Sequence, residues 1–129
     1  LNQKIRRTTL AYEEALLRIS GPVAADESSS QYMAMTLNSS GKYAVAAAGA
    51  VVDGVLQDDP AATGYVGEIG IGGVTKMLVG PNGITAGQAG QVDTNGGVTS
   101  YTNGVRFCRA LTTGVSGDII PVRLHLTLA

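Results

Sequence analysis

Val122-Arg123-Leu124-His125-Leu126-Thr127-Leu128 alternates apolar and polar residues without a fault. At a side-chain period of two, the four aliphatic residues point to one face and Arg123, His125 and Thr127 to the other. A helical period would scatter the same residues around a cylinder, so the stretch is predicted as a half-buried strand. Ile119 and Ile120 lead into it from a Gly117-Asp118 turn, and Pro121 predicts an edge position or a bulge.

The same punctuation recurs upstream. Turn signals fall at Gly21-Pro22, Ser39-Ser40-Gly41, Asp53-Gly54, Asp58-Asp59-Pro60, Gly80-Pro81-Asn82-Gly83, Asn95-Gly96-Gly97 and Asn103-Gly104. Each supplies a residue tolerant of positive φ or a proline with a preset φ. Short runs rich in Val, Ile, Thr and Tyr lie between them, which predicts an all-β fold, a small antiparallel β-barrel or sandwich. Residues 65–71 read as a strand whose glycines admit close backbone approach. Gly72-Gly73 then reads as a bulge or corner before a strand over 74–79. Residues 50–71 and 104–126 echo one another as strand, polar turn and second strand, which predicts two similar hairpins in one barrel.

The N-terminal segment is different. Residues 8–19 read as two or three helical turns, capped by Thr8 or Thr9, with Glu13 and Glu14 behind the cap. Residues 23–31 are small and polar and read as a linker. The chain is therefore divided into an arm and linker over 1–31 and a β-barrel domain over 32–129.

Composition narrows the function. The 129 residues suit one domain, and no apolar run is long enough for a membrane span, so no membrane contact is expected. A formal net charge of −1 argues against a nucleic-acid partner. Only 15% of residues are charged, against about 25% in ordinary domains, which suits a surface used for close contact. The arm carries Lys4, Arg6 and Arg7 beside Ile5, Leu10, Tyr12, Leu16, Leu17 and Ile19. A short amphipathic segment is marginal alone, so its apolar side is expected to be buried on its own barrel or, preferentially, on a partner onto which the cations steer it. Tyr65, Ile69 and Ile71 are expected in contacts between subunits.

Catalytic chemistry is sparse. Cys108 and His125 are the sole Cys and His, both in expected strands, with no third group to orient them. Asp58-Asp59 sits in a turn, where Asp bonds backbone amides rather than converging on a metal. The glycines over 67–73 lack the Lys-Ser/Thr ending of a phosphate loop. No catalytic residue, metal or cofactor is expected, and the chain reads as a non-enzyme.

The stretch Val51-Val52-Asp53-Gly54-Val55-Leu56-Gln57-Asp58-Asp59-Pro60-Ala61-Ala62-Thr63-Gly64, then residues 65–79, Ile84-Thr85-Ala86-Gly87-Gln88, Ala110-Leu111 and Gly117-Asp118-Ile119-Ile120-Pro121-Val122, resembles the decoration or "cement" proteins of tailed-phage capsids. The resemblance spans roughly residues 41–124 and leaves out the arm. It implies a β-barrel or β-tulip-like fold and several copies, often a trimer. It also implies a seat on the outer surface of the virion capsid, bound to a separate major capsid protein. A β-structured phage tail or fibre module and a small ligand-binding accessory barrel are the alternatives.

Overall fold

The computed structural model describes residues 12–127. They form nine strands and no helix: β1 (Glu14–Pro22), β2 (Ala34–Leu37), β3 (Tyr43–Val45), β4 (Gly54–Leu56), β5 (Val66–Leu78), β6 (Ala89–Val92), β7 (Val98–Ser100), β8 (Cys108–Ala110) and β9 (Ile119–Leu124). All ladders are antiparallel, in the path β3-β2-β4-β5-β9-β8-β6-β7, with β1 added on β5. The chain is an all-β, barrel-like domain, as the turn spacing predicts.

The thirteen-residue β5 organises the sheet. Its first half is flanked by β1 and β4, and its second half pairs with β9. Two single bridges then tie each end of the path back toward β1 and β5. Val23, just after β1, bridges Tyr43 of β3, and Val79, just after β5, bridges Val98 of β7. The sheet thus curls into two lobes that share β5, and each lobe has its own core. Val23, Met35, Tyr43, Leu56 and Ile69 fill the first. The second and larger core includes Phe107, Met77, Val92, Val98, Ile120 and Val122. Each such side chain contributes roughly 1.5–3 kcal/mol by leaving water.

Glycines set how closely the layers approach. Gly104 lies against Gly49, where a Cβ at Gly104 would come within 2.5 Å of the Gly49 Cα. Two buried polar side chains fix the second lobe's turns. The Asp93 carboxylate accepts from the Asn82 amide at 2.9 Å, Asn82 Nδ2 at 3.0 Å and the Thr94 amide at 2.7 Å. Gln91 Oε1 accepts from the Thr102 amide at 2.8 Å and the Gly104 amide at 2.9 Å.

Three expectations are corrected. The helix expected over 8–19 is a strand from Glu14 onward, and residues 8–11 lie outside the described residues. A short helix gains little by itself, whereas β5 offers a full ladder to pair with. The glycines of β5 at 67, 70 and 72 each face a β1 residue across that ladder. A register shift at Leu17, opposite Gly72, and a φ of 87° at Gly73 make the expected bulge. Residues 23–31 are no loose linker. Val23, Glu27 and Ser30 are buried, and the Ala24 and Glu27 amides donate to the Tyr43 and Pro60 carbonyls. Pro121 is not on an edge, since β9 lies between β5 and β8. It sits where β8 has ended at Ala110, and its carbonyl accepts from the Leu111 amide, so its missing N–H removes no bond of the β8 ladder.

The last strand is shorter than its alternation. β9 stops at Leu124, yet Val122 and Leu124 are buried, Leu126 is half-buried, and Arg123, His125 and Thr127 are exposed. The two echoed segments do form antiparallel pairs, β4 with β5 and β8 with β9.

Candidate interface

Among the described residues β1 pairs only with β5, and most of it remains open to solvent. Leu17 is 60% exposed, while Ile19 and Leu37 are also exposed. Ile19, Leu37, Tyr43, Val52, Ile71 and Leu126, drawn from both lobes, line a groove of about 340 Å³ on this side of the sheet. Large aliphatic side chains scattered singly over a surface need no explanation, but a lined groove flanked by an unpaired strand edge is a docking feature. β1 is held in place by its ladder and by Ser20 Oγ donating to Glu68 at 2.8 Å. Arg18 pairs with Glu13 at 2.7 Å across the exposed surface, a contact worth little energetically.

A second apolar pair, Tyr65 and Val66, lies at the other end of the β1–β5 ladder, where Val66 faces Pro22. They are 59% and 64% exposed.

The residues expected at an interface separate accordingly. Tyr12, Leu17 and Tyr65 are exposed, and Leu16 and Ile71 are half-buried. Ile69 is corrected: it is fully buried in the first lobe's core and cannot touch a partner. Alternation along β5 points it inward together with Leu56 of β4, its Cα partner. Lys4, Ile5, Arg6, Arg7 and Leu10 lie outside the described residues. Leu37 and Leu126 were not anticipated. Leu37 ends β2 just before a turn, and that position next to a chain reversal is the one sequence signal that it leaves the core.

Cys108 and His125 do not form a pair. Cys108 is buried opposite Leu124, and burial pushes its thiol far above the ordinary range. His125 is exposed and accepts a hydrogen bond from Arg123 Nε at 3.0 Å. Asp58 accepts from the Glu68 amide at 3.1 Å, as an Asp in a turn does. The Asp26 carboxyl is held below its usual range by hydrogen bonds from Ser28. Among the described residues, no three acidic, His or Cys side chains are grouped to hold a metal ion. The glycines over 67–73 lie within β5 rather than in a phosphate-cradling loop.

No protein family and no curated protein matches this sequence. The fold does have a counterpart. It is similar to the crystal structure of the head fiber gp8.5 N base in bacteriophage phi29, with a TM-score of 0.64 and 12% identity. The match covers 88% of this chain and 98% of that one. At this identity the likeness establishes a shared fold.

Proposed function

We propose that this chain is a structural protein of a bacteriophage virion that decorates the outer surface of the capsid. In this reading it binds the major capsid protein and stabilises its lattice, and it works as a homo-oligomer, most simply a trimer. It acts by binding and carries out no catalysis, with no cofactor, nucleic acid or membrane involved. The observation that carries the reading is the near-complete match of this chain's fold to the base of a phage head fiber. The exposed β1 edge and its apolar groove supply a surface for such attachment, and the basic arm precedes β1 in the chain. Several copies bound together hold far more durably than one, because each added contact acts at high effective concentration.

The test uses phage heads lacking this protein, incubated with the purified chain and imaged by cryo-electron microscopy. Stoichiometric density on the outer shell is the expected result. Leu17→Asp combined with Ile19→Asp should remove that density while the melting temperature stays near wild type, since both side chains are already exposed. Heads that stay bare with the wild-type chain, or a double variant that decorates normally, would refute the proposal.

A further inference from the structure

The two halves of the described chain differ sharply in charge. Residues 12–73 carry eight carboxylates against two cations, Arg18 and Lys42, a formal net of −6. Residues 74–127 carry four cations, Lys76, Arg106, Arg109 and Arg123, against Asp93 and Asp118, a net of +2. Asp93 is moreover buried and committed to its turn.

The cations share one face. Arg109 is the Cα partner of Arg123, and Arg123 is the Cα partner of Val74, two residues before Lys76 on β5. Cross-strand partners and alternate residues project from the same side, so Lys76, Arg109 and Arg123 lie on the outer face of the second lobe. Arg106 lies just ahead of β8, stacked at 4.3 Å on Tyr101. Two like charges directly opposite one another destabilise a ladder. Among the described residues the one ion pair is Arg18–Glu13, so none of the described carboxylates forms an ion pair with this face. Glu14 is the carboxylate in the same row, opposite Val74 on β1.

The acidic half presents a complementary end. The Glu27 amide donates to the Pro60 carbonyl, which brings the Asp26–Glu27 loop against the Asp58–Asp59 turn. Asp58 in turn holds the Glu68 amide. Glu27 is buried and accepts from Ser30, so the exposed carboxylates at this end are Asp26 and Asp59, and the exposed Tyr65 and Val66 follow that turn as an apolar centre beside them. A polar, charged rim around an apolar core is the usual anatomy of a protein interface.

We propose that copies of this chain associate head to tail, the Arg109–Arg123 face of one docking on the Asp58–Asp59 end of the next. The two surfaces differ, so the contact is heterologous and is repeated by every copy, which closes into a ring when the rotation permits. The inference rests on the self-association within the proposed function but not on capsid attachment. Assembly in solution and decoration of heads are separate readouts, so either can fail alone.

Sedimentation velocity of the full chain without heads tests it. An oligomer is expected at about 0.05 M salt, dissociating toward the 13.1 kDa monomer at about 0.5 M as screening shortens the reach of exposed charges. Arg109→Glu with Arg123→Glu, and separately Asp58→Lys with Asp59→Lys, should each weaken assembly roughly tenfold or more. The quadruple variant reverses both sides of every contact and should restore it. Circular dichroism checks folding, and Arg109→Gln with Arg123→Gln replaces the first pair if charge reversal unfolds the chain. A monomer at low salt, assembly indifferent to salt, or a folded quadruple variant that stays apart would overturn the proposal.

Discussion

Asp93→Ala removes the carboxylate that ties the turn at 80–83 to the turn at 93–97. The lost partners are the Asn82 and Thr94 amides and Asn82 Nδ2. A hydrogen bond to a charged group contributes about 1.5–3 kcal/mol net. Two backbone amides lose such a partner, and water reaching this partly buried loop recovers part of the loss. The expected cost is about 3 kcal/mol, which for a domain of this size lowers the melting temperature by roughly 10 °C. Asp93→Asn keeps one acceptor oxygen but turns an NH₂ toward groups that themselves donate, so it should cost about half as much. Asn82→Ala loses only the side-chain bond and should cost about 1 kcal/mol. Urea denaturation with an unchanged slope against denaturant measures all three. The reasoning is refuted if Asp93→Ala lies within about 0.5 kcal/mol of wild type, or if Asn82→Ala proves the more damaging.

Two further predictions concern the interior. The buried Cys108 thiol stays protonated where the unfolded chain's thiol, with a pKa of about 8.5, has ionised. Its contribution is therefore complete below that pH and is lost as pH rises above it, at up to about 1.4 kcal/mol per unit. Cys108→Ala should flatten this part of the stability–pH curve relative to wild type, and a thiol reagent should label Cys108 only in denaturant; equal slopes or rapid native labelling would contradict both. Gly104→Ala puts a methyl group against the Gly49 backbone and should cost about 1–3 kcal/mol, because backbone yields less readily than a side chain. Calorimetry showing an unchanged melting temperature would mean that the two loops part more easily than the structure implies.

Local signals in the sequence determined the fold class. Alternation over 122–126 survives as alternating burial even where the ladder has stopped, because side-chain period is a property of extended backbone itself. Glycine and proline likewise placed the turns, since their φ preferences need no distant partner. Alternation also puts His125 on the face opposite to Leu124 and its Cα partner Cys108.

What only the tertiary structure decided were the partners. Residues 14–19 have a pattern that fits a helix, and they became a strand because β5 offers an unpaired edge with glycines in the facing positions. Ile69 and Ile71 look alike in sequence, but β4 and the first core cover one and leave the other half open. The groove joins Ile19, Leu37, Ile71 and Leu126, which are up to 107 positions apart in the chain. The opposition of Arg109 and Arg123 depends on a register of β8 against β9 that hydrophobic alternation alone does not fix among several strands. Conformation was legible wherever it depended on neighbours in sequence. The candidate site depends on neighbours in space, which the folded chain alone brings together.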